Sequence, residues 1–276
     1  MPTPRLSASD KRQAFRQLHQ SGCFVIPNPW DVGSALFLAS LGFKALATTS
    51  SGFAWSKGKP DGGIALEMAL THLREIVAAT ELPVNADFQD GFGHDPRSVA
   101  ESVRLAVDTG VAGISIEDST GDASKPLYDL DTAVTRMRAA RSAIDDLGGD
   151  TLLVGRAECF LVGRPNLDEA VARLQAYAHA GADCLYAPGI RTREHIAAVV
   201  ASVAPKPFNL LVGHASEFSV REIAELGVRR ISVGGALARS AWGGFMRSAQ
   251  MIAEHGRFEG FADAASQQTL DAFFRQ

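Results

Sequence analysis

Val84-Asn85-Ala86-Asp87-Phe88-Gln89-Asp90-Gly91-Phe92-Gly93 is the stretch on which the architecture of this 276-residue chain turns. A short apolar strand behind Pro83 breaks into a glycine-flanked loop, and two carboxylates, Asp87 and Asp90, stand at the break. Side chains alternate along a strand, so Asn85 and Asp87 share one face while Asp90 lies on the loop beyond. Buried Asp is rare unless it is paired or bound to a cation. The alternative is an Asp-Gly turn that caps the following helix. Two further segments bear on the choice. Gly113-Ile114-Ser115-Ile116-Glu117-Asp118 and Leu152-Leu153-Val154-Gly155-Arg156-Ala157-Glu158 also end in charge. Ser115 and Glu117 share a face of the first, Arg156 and Glu158 a face of the second. Three consecutive strands with acids at their carboxyl ends read as a site, because a solvated surface would spread its charge along the helices.

Outward from this stretch, the chain alternates. Strands are expected near 23–27, 44–49, 83–88, 113–117, 152–157, 183–187, 207–212 and 229–233. Helices are expected near 31–41, 64–79, 96–109, 129–146, 167–180, 191–203, 218–226 and 236–254, after an opening amphipathic helix over 8–21 with Phe15 and Leu18 inward and Ser7 or Ser9 as its cap. Several strands are near-continuous apolar runs, as burial on both faces of a parallel sheet requires. Asp95-Pro96 and Asn166 supply helix starts. Gly42, Gly110, Gly181 and Gly227 each follow a helix, where a left-handed C-cap is usual. Eight strands alternating with eight helices make a (β/α)8 barrel, a single domain over 1–276. A doubly wound sheet is the rival, and it lacks a G-x-G-x-x-G after the first strand. Residues 261–274 form one further amphipathic helix whose Leu270, Phe273 and Phe274 have no place inside a closed barrel, which points to an oligomer contact.

Composition narrows the function. A net charge of −4, without a basic run carrying interleaved aromatics, argues against nucleic acid. No apolar stretch of about 18 residues exists to span a membrane, and residues 1–20 lack the apolar run of a signal peptide. Three widely spaced cysteines, Cys23, Cys159 and Cys184, fit reduced buried thiols in a cytoplasmic protein.

Barrel chemistry sits at the carboxyl ends of the strands. The side chains expected there are Asn28, Thr48 to Ser51, Asp87, Asp90, Glu117, Arg156, Glu158 and Asn209. A hard cation takes oxygen ligands and keeps several waters, which Asp87, Asp90 and Glu117 can accommodate. Arg156 needs an anionic partner: either Glu117 or Glu158 as a structural ion pair, or a substrate carboxylate held by its planar fork. Thr49-Ser50-Ser51-Gly52-Phe53 offers N–H groups and hydroxyls to a second carboxylate, or is a plain polar loop. His214, just past the seventh strand, is either a substrate contact or a satisfied loop histidine. His72, His94, His179, His195 and His255 read as surface or helix residues.

In combination and order, Asn28-Pro29-Trp30-Asp31, Thr49-Ser50-Ser51-Gly52-Phe53, Ala86 to Gly93, Ile116-Glu117-Asp118, Gly155-Arg156-Ala157-Glu158 and Glu222 to Val228 are specific. Across nearly its whole length the chain resembles the isocitrate lyase/phosphoenolpyruvate mutase superfamily. The resemblance implies a Mg²⁺-dependent barrel, with Mn²⁺ as a substitute, acting on small 2-oxo or 2-hydroxy acids through an enolpyruvate-like state. It also implies a homodimer or homotetramer whose terminal helix is exchanged between subunits. Carried over residue by residue, Asp61, Asp87, Asp90 and Glu117 correspond to the metal shell. Ser51, Gly52 and Phe53 correspond to the carboxylate cradle and Arg156 to the substrate-binding arginine; Asn209 and His214 join them as substrate-binding candidates from their places at and just past strand ends. Arg156, Glu117 and Lys125 are the catalytic candidates.

Two departures from the family pattern matter. The usual Asp-x-Asp-x-Gly is here Asp87-Phe88-Gln89-Asp90-Gly91. The loop after the fourth strand, Asp118 to Leu127, has neither the cysteine nor the histidine of the lyases. The mutases' later histidine also has no match in Leu185 to Gly189. The sequence therefore points to a carbon–carbon lyase or decarboxylase of a 2-oxo or 2-hydroxy di-acid. The alternatives are a mutase using Lys125 as its loop lysine, and a barrel that binds 2-oxo acids without turning them over.

Overall fold

All eight expected strands form in the computed structural model, which describes residues 5–275. They are β1 (Phe24–Ile26), β2 (Leu46–Ala47), β3 (Val84–Asp87), β4 (Gly113–Glu117), β5 (Leu152–Arg156), β6 (Cys184–Tyr186), β7 (Phe208–Leu211) and β8 (Arg230–Ser232). Every pairing is parallel, in the order β1-β8-β7-β6-β5-β4-β3-β2. The seam between β1 and β2 closes just beyond the strands. Ala47 N donates to Pro27 O at 3.0 Å and Asn28 Nδ2 to Thr48 O at 2.9 Å. Asn28 Oδ1 then accepts the amides of Val233 and Gly234. One asparagine thus ties β1 to the ends of both neighbours, completing a (β/α)8 barrel of the TIM type.

The two faces of the sheet divide the chemistry. Register partners in a parallel sheet point the same way. One set, Ala86, Ile114, Ile116, Leu153, Leu185, Leu210 and Ile231, packs against helix residues such as Leu73, Val103, Met137, Leu174 and Val199 in the main apolar core. Full burial of such a side chain contributes about 1.5–3 kcal/mol. The other set runs as the row Glu117, Arg156, Tyr186, Asn209, Arg230 from β4 to β8. The interior face is therefore polar where the sequence suggested apolar burial on both sides. At the opposite end α1 (Ala8–Leu18), capped by Ser7, inserts Phe15 among Ile26, Ala45, Ala112 and Leu152.

The helices between the strands are α2 (Val32–Ser40), α3 (Ser50–Ser56), α4 (Leu66–Ala79), α5 (Pro96–Asp108), α6 (Leu130–Asp145), α7 (Leu167–His179), α8 (Arg193–Val203) and α9 (Val220–Glu225). The expected caps are in place. Asp95 and Asn166 accept N-terminal amides, and Gly42, Gly110, Gly181 and Gly227 all have positive φ. One helix departs from expectation: α3 occupies the segment taken for a turn, and Thr49 caps it by accepting from Gly52 N.

The chain divides into two compact units, Met1–Gly235 and Ala236–Gln276. The second holds α10 (Ala236–His255), a 3-10 turn (Glu259–Phe261) and α11 (Gln267–Phe274). The terminal helix is shorter than expected, because Phe261 belongs to the 3-10 turn and Ser266 caps α11 at Thr269 N.

Candidate active site

The loop after β3 is held in a demanding conformation. Gln89 and Phe92 both have φ near +50°, a region that non-glycine residues rarely occupy. Several bonds hold it there. Gly91 N donates to Phe88 O at 2.9 Å, Phe92 N to Asp90 Oδ1 at 3.0 Å, and Glu117 N to Gln89 O at 2.9 Å. Arg136 on α6, 2 % exposed and stacked 4.0 Å from the Tyr128 ring centre, donates to the carbonyls of Asp90 and Gly93. Its guanidinium also lies 3.6 Å from the Asp90 carboxylate, which Tyr128 approaches at 3.4 Å. Asp90 lines the same cavity as Glu117, but its carboxylate already has a cation beside it.

Asp87 ends β3 facing the interior. Its Oδ2 accepts both the amide and the hydroxyl of Ser50 at 2.8 Å, and its Oδ1 lies 3.1 Å from Arg156 Nη1. The same Nη1 is 3.0 Å from Glu117, and Arg156 Nε donates to Glu158. Arg156 is thus the hub of three carboxylates. Both structural partners foreseen for it, Glu117 and Glu158, are present, and Asp87 is added. Behind them Asp118 Oδ1 accepts the Glu158 amide at 2.8 Å, while its Oδ2 pairs with Arg173 at 3.0 Å and accepts the Tyr177 hydroxyl. Gly155 makes room for this support, since a Cβ there would meet Tyr177 Cβ at 2.8 Å.

A cavity of about 520 Å³ opens over this hub, lined by Ser50, Asp61, Asp90, Glu117, Arg156 and Glu158 among others. Asp61, Glu117 and Glu158 line it, and with Asp87, which lines an adjoining cavity, they set four carboxylates against the one guanidinium of Arg156. Burial, only partly offset by Arg156, pushes Glu117 well above the usual carboxylate range, and Glu158 follows for the same reason. Asp61 is raised by burial and by Asp87. For Arg156, burial alone would lower the pKa, but Glu117 and Glu158 carry it well above its ordinary value.

This donor set fits Mg²⁺. All of its donors are oxygens, and Glu117 and Asp61 are raised first by burial and then by the neighbouring acids that Arg156 does not fully offset. Among the described residues no three His, Cys, Asp or Glu side chains form a cage. Mg²⁺ needs none, since it keeps several waters beside one or two carboxylates.

The remaining expected residues are spread more widely. Ser51 lines an adjoining cavity of about 170 Å³, and its hydroxyl is 3.1 Å from that of Thr49. Gly52 and Phe53 are buried within α3, and Phe53 stacks at 3.8 Å on His72. Asn209 is fully buried, accepting from Arg230 and donating to Ser232. His214 is exposed on the loop after β7. Lys125 is exposed and lies 4.0 Å from Asp129. His72 is a helix residue but not a surface one: it is 5 % exposed, its Nε2 has no partner, and burial pushes it down to about 4. Arg136, Tyr186 and Arg230 escaped the sequence reading, because each is defined by partners more than twenty residues away; Ser50 was expected at the strand ends, but its partner Asp87 was not.

Fold and site together define a TIM-type barrel with an acid-lined cavity at the carboxyl ends of its strands. The sequence profile of the phosphoenolpyruvate phosphomutase family matches residues 15–253, and the chain belongs to that family. It is 34 % identical over 194 residues to the 2-methylisocitrate lyase of Escherichia coli (strain K12), covering 67 % of this chain and 64 % of that one. It is 30 % identical over 238 residues to the oxaloacetate decarboxylase of Paraburkholderia xenovorans (strain LB400), covering 82 % and 76 %. A solved lyase/mutase-type structure from Burkholderia cenocepacia J2315 superposes with a TM-score of 0.94 at 46 % identity, covering 98 % of each chain. No described helix is long and apolar enough to cross a membrane.

Proposed function

We propose that the protein is a Mg²⁺-dependent carbon–carbon lyase or decarboxylase acting on a small 2-oxo or 2-hydroxy dicarboxylic acid. The observation that carries this reading is the imbalance of four carboxylates, Asp61, Asp87, Glu117 and Glu158, against the single Arg156 where two adjoining cavities meet. Asp87, Glu117 and Asp61 would hold the metal, with Asp90 nearby. When bound, Mg²⁺ supplies a Lewis acid to the substrate oxygens and to the charge that develops as the bond breaks. Ser50 fixes the direction of Asp87 through two hydrogen bonds. Arg156, oriented by Glu158, has guanidinium hydrogens left for a substrate carboxylate. Asp118, Arg173 and Tyr177 keep Glu158 in place from behind. A homodimer or homotetramer belongs to the same reading, since α10 and the turn after it expose Phe245 and Phe258.

The choice within the lyases rests on the loop Asp118 to Leu127. Cleaving a 2-hydroxy tricarboxylate needs a base for the hydroxyl proton and an acid for the departing carbon. The loop offers only Ser119, Thr120, Ser124 and Lys125, and an ordinary hydroxyl is a poor proton donor near neutral pH. Loss of CO₂ from a 2-oxo di-acid needs no base, and the carbon left behind can take its proton from water. The expected result is turnover of oxaloacetate or a related 2-oxo di-acid with Mg²⁺, none with chelator, and negligible glyoxylate from isocitrate or 2-methylisocitrate. Asp87→Ala is included as a folded control and should lose about a hundred- to a thousandfold in kcat. Undiminished activity in that variant, or in chelator, overturns the reading.

A further inference from the structure

Arg230 is a buried cation that no acid balances. It begins β8, faces the barrel interior and is 2 % exposed. Its Nε donates to Asn209 Oδ1 at 2.7 Å, and its Nη1 lies 3.3 Å from Asn85 Oδ1 and 3.5 Å from His19 Nε2. Two of these partners are amides. The third, His19, is pushed down to about 3 by burial and by Arg230 itself, so it is neutral at working pH. Among the described residues no carboxylate is in ion-pair range of Arg230, and no hydrogen-bond partner meets its Nη2. Burial lowers its pKa, and Cys184 and Tyr186, the groups that would oppose this, are themselves neutral because burial raises them. A guanidinium stays protonated even when buried, and an unpaired buried charge is the costliest arrangement a core can hold.

The surroundings explain why such a group would be kept. Arg230 lines the cavity of about 170 Å³ together with Thr48, Asn85, Ser115 and Arg156. Thr48 Oγ1 accepts the Asp87 amide at 2.9 Å, which leaves its hydroxyl hydrogen uncommitted. Within this one cavity the outer arginine is crowded by acids and the inner one has none. An anion that entered would be repelled by Asp87 and Asp61 at the outer end and attracted at the inner end.

We propose that Arg230 Nη2, assisted by the Thr48 hydroxyl, is the anchor for a carboxylate, and that in catalysis it holds the carboxylate of the di-acid that does not react. The identity of the ligand rests on the function proposed above; the anion site itself does not. Arg230 would then distinguish di-acids from mono-acids.

Malonate titrated calorimetrically into the full-length protein in EDTA, at constant ionic strength set with chloride, tests the site without metal or turnover. Saturable binding of one malonate per chain is expected. Arg230→Gln should weaken it roughly ten- to a hundredfold, the worth of one charge-assisted hydrogen-bonded pair. Equal affinity in the two proteins, or no binding to the wild type, overturns the proposal. Should Arg230→Gln fail to fold, a crystal structure of the wild-type protein grown in malonate decides. A carboxylate on Arg230 supports the site, and malonate bound elsewhere or nowhere overturns it. Malonate binding that depends on Arg230, with no turnover of any di-acid, would sink the proposed reaction and leave the anion site standing. Turnover with malonate affinity and KM untouched by Arg230→Gln would sink the anion site alone.

Discussion

Arg156 and Arg230 belong to one row of register partners, Arg156 with Tyr186, Tyr186 with Asn209, Asn209 with Arg230. Their surroundings are opposite. Arg156 meets Asp87, Glu117 and Glu158, and the region around it has more negative charge than it can neutralise. Arg230 meets two amides and a neutral imidazole. An acid-rich region next to a bare cation is a poor arrangement for an empty barrel, and a good one for a ligand that brings a divalent cation to one end and a carboxylate to the other. The cost of folding is carried elsewhere, by the apolar layer between sheet and helices.

Substituting each arginine by methionine separates the two surroundings most strongly. Arg156→Met leaves Asp87, Glu117 and Glu158 buried together without a cation, and should cost about 3–5 kcal/mol in urea denaturation without metal. Arg230→Met removes a charge that has no ionic partner. The relief offsets the loss of its bond to Asn209, and stability should stay within about 1 kcal/mol of wild type. Equal losses at the two positions would show that Arg230 is as much a structural ion as Arg156, and would erase the contrast.

Much of the outer region was legible in the sequence and little of the inner one. Asp87, Glu117 and Arg156 stand at strand ends, where alternation and the barrel rule point to them directly. Arg230 follows Arg229 in a segment expected only as a strand, and the doublet does not show which of the two turns inward; burial separates Arg229, bonded to Gly22 O at the surface, from its neighbour. Arg136 lies on a helix rich in charge, and its targets are carbonyls more than forty residues away. The segment Ser50–Ser56 has no apolar stripe, so its helix is set by the Thr49 cap and by the bonds of Ser50 to Asp87. Periodicity reports how a segment meets the bulk core. It does not report which distant polar group it will meet.

A smaller effect, read from the pH dependence of stability, weighs the acids against the buried histidines. Glu117, Glu158 and Asp61 have raised pKa values, so above the ordinary carboxylate range the native state holds more protons than the unfolded chain. Their contribution is therefore lost as pH rises. His72, pushed down to about 4, and His19, to about 3, act in the opposite sense. Below the unfolded histidine value of about 6.5 the unfolded chain binds more protons, and stability falls as pH drops. Melting curves without metal should show a maximum between the two limbs. Added Mg²⁺ should raise Tm more at pH 8 than at pH 5, because the metal competes with the protons that these raised acids hold more firmly at the lower pH. An equal rise at both values would mean that the metal does not bind these carboxylates.

The smallest effect is expected at the cation outside both regions. Lys125 is 68 % exposed and lies 4.0 Å from the exposed Asp129, an i,i+4 surface pair that solvent screens. The cavity wall on this loop is formed by Ser119, Thr120 and Gly121. Thr120 turns its hydroxyl onto Lys125 O at 2.5 Å and receives the Asp122 amide at 3.0 Å, and Asp122 in turn accepts from Ser124, so the loop is closed on itself. For Lys125 to act on a substrate, this loop would have to refold over the cavity. Lys125→Ala should therefore leave kcat/KM for a 2-oxo di-acid within about twofold of wild type, as surface changes away from a site usually do. A loss of a hundredfold or more would show that the loop closes during turnover. It would favour the mutase reading, and the outer region would then contain a second functional cation that the open structure keeps apart from Arg156.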